Sequence, residues 1–350
     1  MNLDSAELPG VYFYRSLELA IEQNNKDKVE LIIKKIVDVD TVAPEDSPTC
    51  IDSLLQIAIH KRKDKMVELL LKNNANPNVR IPMLEIPLMV ATYQEDLRMM
   101  QLLIAYGANV NDLSERLEKK TSLHVAVQGY NVKVVELLLN DITIDVNITS
   151  ANGNSVLHDA VERVIGIDIT KHLLDAGVDI NLKNHIGRTA FDSINFNSPK
   201  LTRTLKEHIV KLSAASFYVS EKNLALIADS EKLSEVRNKC MKEIENMKKK
   251  MIGSSNFTYY DLLRKCEHKL AVGLKHVPNN IILDLDIPSI FPLYGKMITY
   301  RLRRVLGRQN LLIDVTDLVY DIFNDIRLPS TFTSMIFKYL TNGDLKKLVI

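Results

Sequence analysis

Cysteine is rare in this sequence, and its positions are widely separated. Cys50, Cys240 and Cys266 are the three cysteines among 350 residues. This spacing supplies neither a disulfide framework nor the paired ligands of a zinc site. We therefore expect a reducing compartment, the cytoplasm, with the nucleus left open. The N-terminal stretch also lacks a basic segment ahead of an apolar core, so we expect no classical secretory signal.

Glycine and proline are scarce as well, with 12 and 11 residues, which favours helices joined by short connections. No apolar run approaches the roughly 18 residues that a membrane-spanning helix requires, so we expect no membrane partner. Hydrophobic residues make up 46% of the chain and charged residues 25%, as in ordinary globular proteins. The composition therefore favours a globular helical protein.

The residue patterns of catalysis are missing too. The eight histidines are scattered, and none has the paired spacing of metal ligands. The sequence contains neither a glycine-rich phosphate loop nor a nucleophile elbow. Cys240 and Cys266 lie on apolar faces of predicted helices, where a buried, inert thiol is expected. We therefore expect no enzyme, and no catalytic, cofactor or metal site.

What the sequence does contain is a helix–turn–helix unit at Thr121–Asn147. Two short apolar helices are separated by Gly-Tyr-Asn, and a turn follows the second helix. Thr121 is placed to cap the first helix, and its hydroxyl can reach His124 one turn along. Such a unit cannot bury its apolar side alone and needs neighbours of the same shape.

The unit recurs along the first 213 residues. Its leading apolar residue returns at intervals of 38, 33, 35, 34 and 34 residues. An alanine follows three positions later in every unit except the sixth, which has Ile194, and a small residue there lets two helices approach closely. The six leading residues are Leu17, Leu55, Leu88, Leu123, Leu157 and Phe191.

This period and order of parts resemble the ankyrin repeat. The best-matching stretches are Thr121–His124, Gly107–Asn111, Gly177–Asn181 and Gly187–Ala190. The resemblance implies an all-α solenoid of about six units over residues 15–213, whose concave surface binds a target protein. It also implies a structural role for the histidine at the fourth position of units four and five, His124 and His158.

A change in charge near residue 213 predicts a second domain over residues 214–350. Residues 1–213 carry 24 basic and 29 acidic side chains, whereas residues 214–350 carry 21 and 15. Thr258 and Asp261 predict a capping box at the start of one helix. The predicted helices of this small helical domain cover residues 221–251, 259–274, 293–309 and 311–326.

Two opposite charge patterns adjoin in this domain. Arg301, Arg304 and Arg308 lie on the predicted helix 293–309, and an acidic stripe runs from Asp314 to Asp325 on the next. We predict that the two patterns pair across a turn near Gln309 and Asn310. Contact of the basic helix with nucleic acid is the less favoured alternative, because no aromatic residues interleave with the arginines.

A second resemblance covers the C-terminal part. Cys240–Met247, Tyr260–Leu263 and the terminal apolar pattern resemble the PRANC region of poxvirus ankyrin proteins and of parasitoid wasp and intracellular bacterial proteins. Residues 328–350 resemble a shortened F-box, which implies docking on the small adaptor subunit of a cullin-type ubiquitin ligase. The predicted protein-binding residues are Leu328, Pro329, Ile336, Tyr339, Leu340 and Leu345.

The local sequence around these residues predicts a helix that begins at Leu328-Pro329 and breaks at Asn342-Gly343, before a last short turn from Asp344. Its apolar side chains fit partner docking and closure of the domain core equally well.

The favoured hypothesis is a non-enzymatic adaptor that binds a target on the repeats and recruits a ligase through its C-terminal helices. The alternative is an inhibitor that only sequesters a signalling protein of the NF-κB type. The sequence leaves open the target, the oligomeric state and the source among virus, insect and bacterium.

Overall fold

In the computed structural model, the secondary-structure elements of the described residues are helices, with only isolated β-bridges besides, which confirms the predicted all-α class. The described residues form parts of two compact units, Met1–Val134 and Val135–Ile350, and each unit is taken by itself below. The described residues are 19–36, 50–81, 84–162, 166–194, 198–228, 230–277, 286–322, 337–338 and 340–349.

The first unit consists of paired helices. Helix α2 (Cys50–His60) packs on α3 (Asp64–Lys72) and α4 (Pro87–Tyr93). Helix α4 in turn packs on α5 (Leu97–Ala105) and α6 (Ser122–Gln128), so each pair also contacts the next pair along the chain. Ala58, Ala91 and Ala126 are buried, as expected for the small residues at the helix contacts. The helices are α1 (Lys26–Ile36), α2 (Cys50–His60), α3 (Asp64–Lys72), α4 (Pro87–Tyr93), α5 (Leu97–Ala105) and α6 (Ser122–Gln128), while α7 (Val132–Leu139) crosses into the second unit.

The predicted cap of α6 is present. The backbone N–H of His124 donates to the Thr121 hydroxyl, and the Thr121 Oγ1 and His124 Nδ1 atoms are 2.9 Å apart. The Thr121 N–H in turn points to His124 Nδ1 at 3.3 Å. Both side chains are buried, so the histidine satisfies helix-end groups that water cannot reach.

The second unit continues the repeats into the C-terminal helices. Helix α10 (Pro199–Ala214) packs on both α9 (Ile167–Asp175) and α12 (Glu231–Lys249). The long helix α16 (Gly295–Ile322) contacts α9 and four of the helices whose ranges are given below, α13, α14, α15 and α17. The predicted boundary at residue 213 stays a prediction. The helices are α8 (Val156–Glu162), α9 (Ile167–Asp175), α10 (Pro199–Ala214), α11 (Glu221–Ala225), α12 (Glu231–Lys249), α13 (Tyr259–Arg264), α14 (Glu267–Gly273), α15 (Ile287–Ile290), α16 (Gly295–Ile322) and α17 (Asn342–Val349), with a 3₁₀ turn at Ala190–Ser193.

A hairpin followed by a capped helix recurs three times in this unit. Antiparallel bridges join Thr149 to Ser155, Lys183 to Thr189 and Met251 to Thr258. The last residue of each hairpin then hydrogen-bonds the side chain three positions on, which is His158, Asp192 or Asp261. The third instance lies beyond the predicted repeats, so the local pattern of a repeat unit extends into the C-terminal helices.

Two long helices that the periodicity predicts are each interrupted. The predicted helix 221–251 is α11 followed by α12, and buried Asn223 turns its amide toward the carbonyl of Ile180. The predicted helix 259–274 ends at α13 and resumes as α14. Arg301 donates to the carbonyls of Leu262 and Lys265, at 2.5 and 2.8 Å, so a side chain from α16 satisfies carbonyls at the end of α13.

This second break also changes the place of a cysteine. Cys266 lies at the N-cap of α14 and is exposed, so its predicted burial is wrong. Cys240 is buried on α12 as predicted, and burial raises the pKa of its thiol, which keeps it protonated and inert.

The predicted turn near Gln309 and Asn310 is wrong. Residues 295–322 form one continuous helix, α16, with Gln309 buried inside it. Neither glutamine nor asparagine breaks a helix interior, because each costs less than about 0.7 kcal/mol relative to alanine. Burial of Leu306, Leu311 and Val315 around this part of the helix outweighs so small a cost.

A carboxylate fixes the start of α16. Glu243 on α12 accepts hydrogen bonds from the N–H groups of Leu293 and Tyr294, at 3.0 and 2.8 Å. Burial raises the pKa of Glu243, and these two bonds act in the opposite direction. Because a negative group next to a helix N-terminus is stabilising, Glu243 helps to place the helix that carries the C-terminal site.

Candidate protein-interaction surface

The structure describes two of the six predicted binding residues. Leu340 is half-buried and Leu345 is completely buried. The binding role of all six residues stays a prediction. The other four lie outside the described residues: Leu328, Pro329, Ile336 and Tyr339.

The burial of Leu345 comes from a small core between α16 and α17. Leu345 packs there with Leu311, Val315 and Phe337, and Leu340 lies at the edge of the same cluster. In this arrangement the side chain of Leu345 is covered by its neighbours, while Leu340 keeps part of its side chain accessible.

Helix α17 begins earlier than predicted. Asn342 and Gly343 are its first two residues, so the predicted helix break at these positions is wrong. Thr341 forms the cap, because its N–H donates to the Asp344 carboxylate at 2.8 Å and its hydroxyl accepts from the Asp344 N–H at 3.1 Å. The Thr341 hydroxyl also donates to the Asp344 carboxylate at 2.7 Å, and this bond, together with the one from the Thr341 N–H, lowers the pKa of Asp344. The cap formed by Thr341 and Asp344, three residues apart, therefore starts a helix here, although Gly343 would also suit a helix end.

Among the side chains that the structure describes on the packed pair α16 and α17, three large apolar ones stay exposed. Ile313 is 55% exposed, Leu348 49% and Val349 40%. None of the three is among the predicted binding residues, and for Ile313 the wrongly predicted turn at 309–310 obscured the register of α16. Exposed apolar groups on adjoining helices are typical of a docking surface.

The arginines of α16 bind groups within the second unit instead of the acidic stripe. Arg301 donates to the carbonyls at the end of α13, as described above, and Arg304 pairs with Glu267 on α14 at 2.7 Å. Arg308 donates to Leu340 and Asn342. The predicted pairing of these arginines with the acidic stripe that begins at Asp314 is wrong. The basic residues and the stripe lie on one continuous helix and not on two helices that face each other across a turn. Arginines used in this way are poorly placed for nucleic acid.

The C-terminal segment also contacts the turn after α7. The Asn342 amide donates to the carbonyl of Ile142 at 3.0 Å. Lys346 on α17 pairs with the carboxylate of Asp141 at 3.4 Å. The backbone of this turn is therefore directly bonded to the segment that carries Leu340.

The repeats provide other surfaces that could bind a partner. In the first unit, Tyr93, Val125 and Gln128 line a groove of about 240 Å³ between α4 and α6. In the second unit, Ile186 is exposed at the tip of the hairpin that ends at Thr189. The fold positions such exposed side chains but does not identify the partner that they would bind.

A larger cleft of about 410 Å³ lies within the second unit. Turn residues Asp175 and Asp179 form one wall, and Arg301 and Arg304 form another. Burial raises the pKa of Asp175. His208 also lines the cleft, and burial lowers its pKa to about 3, so its ring is neutral at physiological pH.

Histidine at the repeat position acts structurally in unit five as well. The His158 Nδ1 atom is 2.8 Å from the Ser155 hydroxyl, and Nε2 is 3.0 Å from the carbonyl of Arg188. Burial lowers the pKa of His158, in keeping with a neutral ring that bridges two repeat segments. Within the described residues, no group of three or more His, Cys, Asp or Glu side chains could hold a metal ion. No helix in the described ranges is long and apolar enough to span a membrane.

Comparison with known proteins assigns the repeats. A model of three ankyrin repeats matches residues 88–184, and a single-repeat model matches residues 52–81. The chain therefore contains ankyrin repeats over residues 52–81 and 88–184. Ankyrin repeats bind target proteins, so the grooves and hairpins above belong to a protein-binding frame.

Its relatives include several viral proteins. The fowlpox virus (strain NVSL) ankyrin repeat protein FPV031 is 27% identical over 315 residues, covering 84% of this chain and 91% of that protein. Another, FPV219, is 28% identical over 243 residues, and the match spans 53% of its length. Human NF-kappa-B inhibitor delta is 38% identical over 106 residues, which cover 28% of this chain and 33% of the inhibitor. The chain thus resembles poxvirus ankyrin proteins along most of its length.

Proposed function

We propose that this ankyrin-repeat protein is an adaptor with two binding surfaces. The repeats bind a target protein, and the C-terminal helices recruit the small adaptor subunit of a cullin-type ubiquitin ligase. The target is thereby brought to the ligase without any catalysis by the chain itself.

One observation carries the C-terminal half of this proposal. Helices α16 and α17 bury their shared core around Leu345 and still expose Ile313, Leu348 and Val349. The exposed group therefore supports a helix-packing partner, such as the helical adaptor subunit that the F-box-like sequence implies.

The match to FPV031 supports one continuous protein in which the repeats and the C-terminal helices belong together. It covers 91% of that protein, and this chain contributes 84% of its own length to it. Only the repeats match the ankyrin models, which end at residue 184. The similarity beyond them favours a shared role for the C-terminal part.

Removal of residues 328–350 separates the two activities. We expect the shortened chain to keep target binding and to lose target ubiquitination in a reconstituted ligase assay. Because this deletion uncovers Leu311 and Val315, a double substitution, Ile336→Asp with Leu340→Asp, is the gentler variant. Unchanged ubiquitination with the double variant would refute recruitment through this surface.

The alternative is an inhibitor that sequesters a signalling protein. The 38% identity to NF-kappa-B inhibitor delta over 106 residues favours this function, and the match covers about the length of three repeats. A sequestering protein would inhibit its target equally well with and without residues 328–350, provided that the repeats remain folded. The deletion therefore distinguishes the two functions.

A further inference from the structure

A buried arginine holds the end of the C-terminal segment. Arg308 on α16 is 4% exposed, and its Nη2 donates to the carbonyls of Phe337 and Leu340 at 2.6 and 2.7 Å. Its Nη1 donates to the Asn342 side chain at 2.9 Å. One guanidinium therefore binds three groups within six residues, on the stretch that carries the predicted binding residue Leu340.

All the acceptors of this guanidinium are neutral. Besides the three oxygens, Nη2 lies 3.4 Å from Nδ1 of His268, and burial together with the Arg308 charge lowers the pKa of that histidine. Burial also lowers the pKa of Arg308, although its ordinary value is so high that the group stays charged. Glu267 favours the charged form of Arg308 through its charge, but among the described residues no carboxylate is hydrogen-bonded to this guanidinium. The buried cation therefore depends on the alignment of its bonds to the neutral groups, and it tolerates few other placements of the segment.

Asn342 extends these contacts to the repeats. Its Oδ1 accepts from Arg308, and its Nδ2 donates to the carbonyl of Ile142 in the turn after α7. The Lys346–Asp141 ion pair, with the Asp141 side chain largely buried, joins the same turn to α17. The segment is thus bonded at one end to α16 and at the other to a repeat turn.

We propose that Arg308 is the positioning residue of the C-terminal docking surface, and that Asn342 couples this surface to the repeat turn at residues 141–142. This inference rests on the proposed function only for its effect on adaptor binding. Arg308 itself touches no partner. It holds the carbonyl groups of Phe337 and Leu340, so that Leu340 and the exposed side chains of α17 keep one orientation. Because Asn342 also bonds the repeat turn, that orientation depends on an intact turn.

The test is amide hydrogen exchange on the full-length protein. In Arg308→Met we expect exchange over residues 340–349 to rise at least tenfold, while exchange in α8 and α9 stays as in the wild type. The matched control is Arg303→Met on the same helix. Arg303 is exposed and also reaches the repeat turn through Asn140, but it forms no hydrogen bond to the described residues of the C-terminal segment. Its replacement should leave residues 340–349 protected.

Two further variants keep the test decisive if Arg308→Met does not fold. Arg308→Lys retains the charge but lacks the planar fork, so it should give an intermediate rise in exchange. Asn342→Ala removes the link to Ile142 and should raise exchange over 340–349 without disturbing α10 or α12. Wild-type protection of residues 340–349 in both of these variants would overturn the proposal.

Adaptor binding separates this proposal from the proposed function. Titration with the purified adaptor subunit should show affinity reduced at least tenfold in Arg308→Met and unchanged in Arg303→Met. If the wild type does not bind the adaptor while exchange still responds to Arg308, the positioning role stands and the ligase function fails. If the adaptor binds Arg308→Met as it binds the wild type, the positioning role fails and the ligase function stands.

Discussion

Gly307 of α16 packs directly against the side chain of Ile142 in the repeat turn. A Cβ atom at position 307 would lie 2.5 Å from Cγ2 of Ile142 and 3.0 Å from its Cβ. These distances are shorter than any ordinary van der Waals contact, so no larger residue fits without movement of the helix or the turn. The contact explains why a glycine occupies the interior of a long helix, where it is otherwise unfavourable.

Gly307→Ala should therefore destabilise the protein by about 1–3 kcal/mol, because overpacking at this contact exceeds the helix propensity gained. The matched control is Gly343→Ala in α17, where the nearest atom to a new Cβ is 3.6 Å away. That change should be neutral or stabilise by up to about 1 kcal/mol. Denaturant unfolding of both variants measures the difference, and equal effects would contradict the close approach of α16 to the turn.

Leu138 tests the register of the fourth repeat. It is completely buried on α7, as the repeat pattern predicts, so Leu138→Ala should cost about 2–5 kcal/mol in free energy of unfolding. Its neighbour Leu137 is only half-buried and provides the control, with a smaller loss expected from Leu137→Ala. A loss below about 0.5 kcal/mol at Leu138, the range of ordinary surface substitutions, would mean that the register is wrong.

His208 predicts a pH dependence of stability. Burial lowers its pKa in the folded state to about 3 from an ordinary value of 6.5, and nearby Lys211 contributes in the same direction. The unfolded chain therefore binds one more proton than the folded chain between these two pH values. The stability contribution of neutral His208 is complete above pH 6.5 and is lost as the pH falls toward 3, by up to about 1.4 kcal/mol per pH unit.

The free energy of unfolding of His208→Leu should accordingly fall less steeply than that of the wild type below pH 6.5. Urea titrations at pH 7, 6 and 5 measure the two slopes. Parallel slopes would show that His208 is protonated in the folded protein, against its burial on α10.

The stability of helix α13, which follows the hairpin at Met251–Thr258, should depend on its N-terminal cap. The Thr258 hydroxyl accepts from the Asp261 N–H at 3.2 Å, and the Asp261 carboxylate accepts from the Thr258 N–H at 2.9 Å. Loss of such a cap costs about 0.5–2 kcal/mol, which is the effect expected for Thr258→Ala. Thr258→Ser keeps the hydroxyl and should retain most of the stability in thermal melts. Equal losses for both variants would point to packing of the threonine methyl group instead.

The sequence predicts the features that depend on neighbours within one or two turns. The pairing of Thr121 with His124 and that of Thr258 with Asp261 follow from spacing alone, because the interacting groups are close along the chain. Their geometry needs no knowledge of distant residues.

Features that depend on distant residues are beyond such prediction. Arg301 lies nearly 40 residues from the carbonyls that it satisfies at the end of α13, and Arg308 is separated from Leu340 by a similar distance. Each arginine appears in the sequence only as part of a basic pattern, so pairing with the adjacent acidic stripe is the natural but wrong expectation. The early start of α17 has a different cause. Glycine more often ends a helix, but the Thr341–Asp344 cap places Gly343 in the first turn.

The most direct test of the central claim is calorimetric titration of the purified protein with the purified small adaptor subunit of a cullin-type ligase. The adaptor account predicts saturable binding by the wild type and none by the Ile336→Asp, Leu340→Asp double variant, whose repeats should keep their helical circular dichroism. Absence of binding by the wild type, or undiminished binding by the double variant, would contradict the account and favour a protein that only sequesters its target.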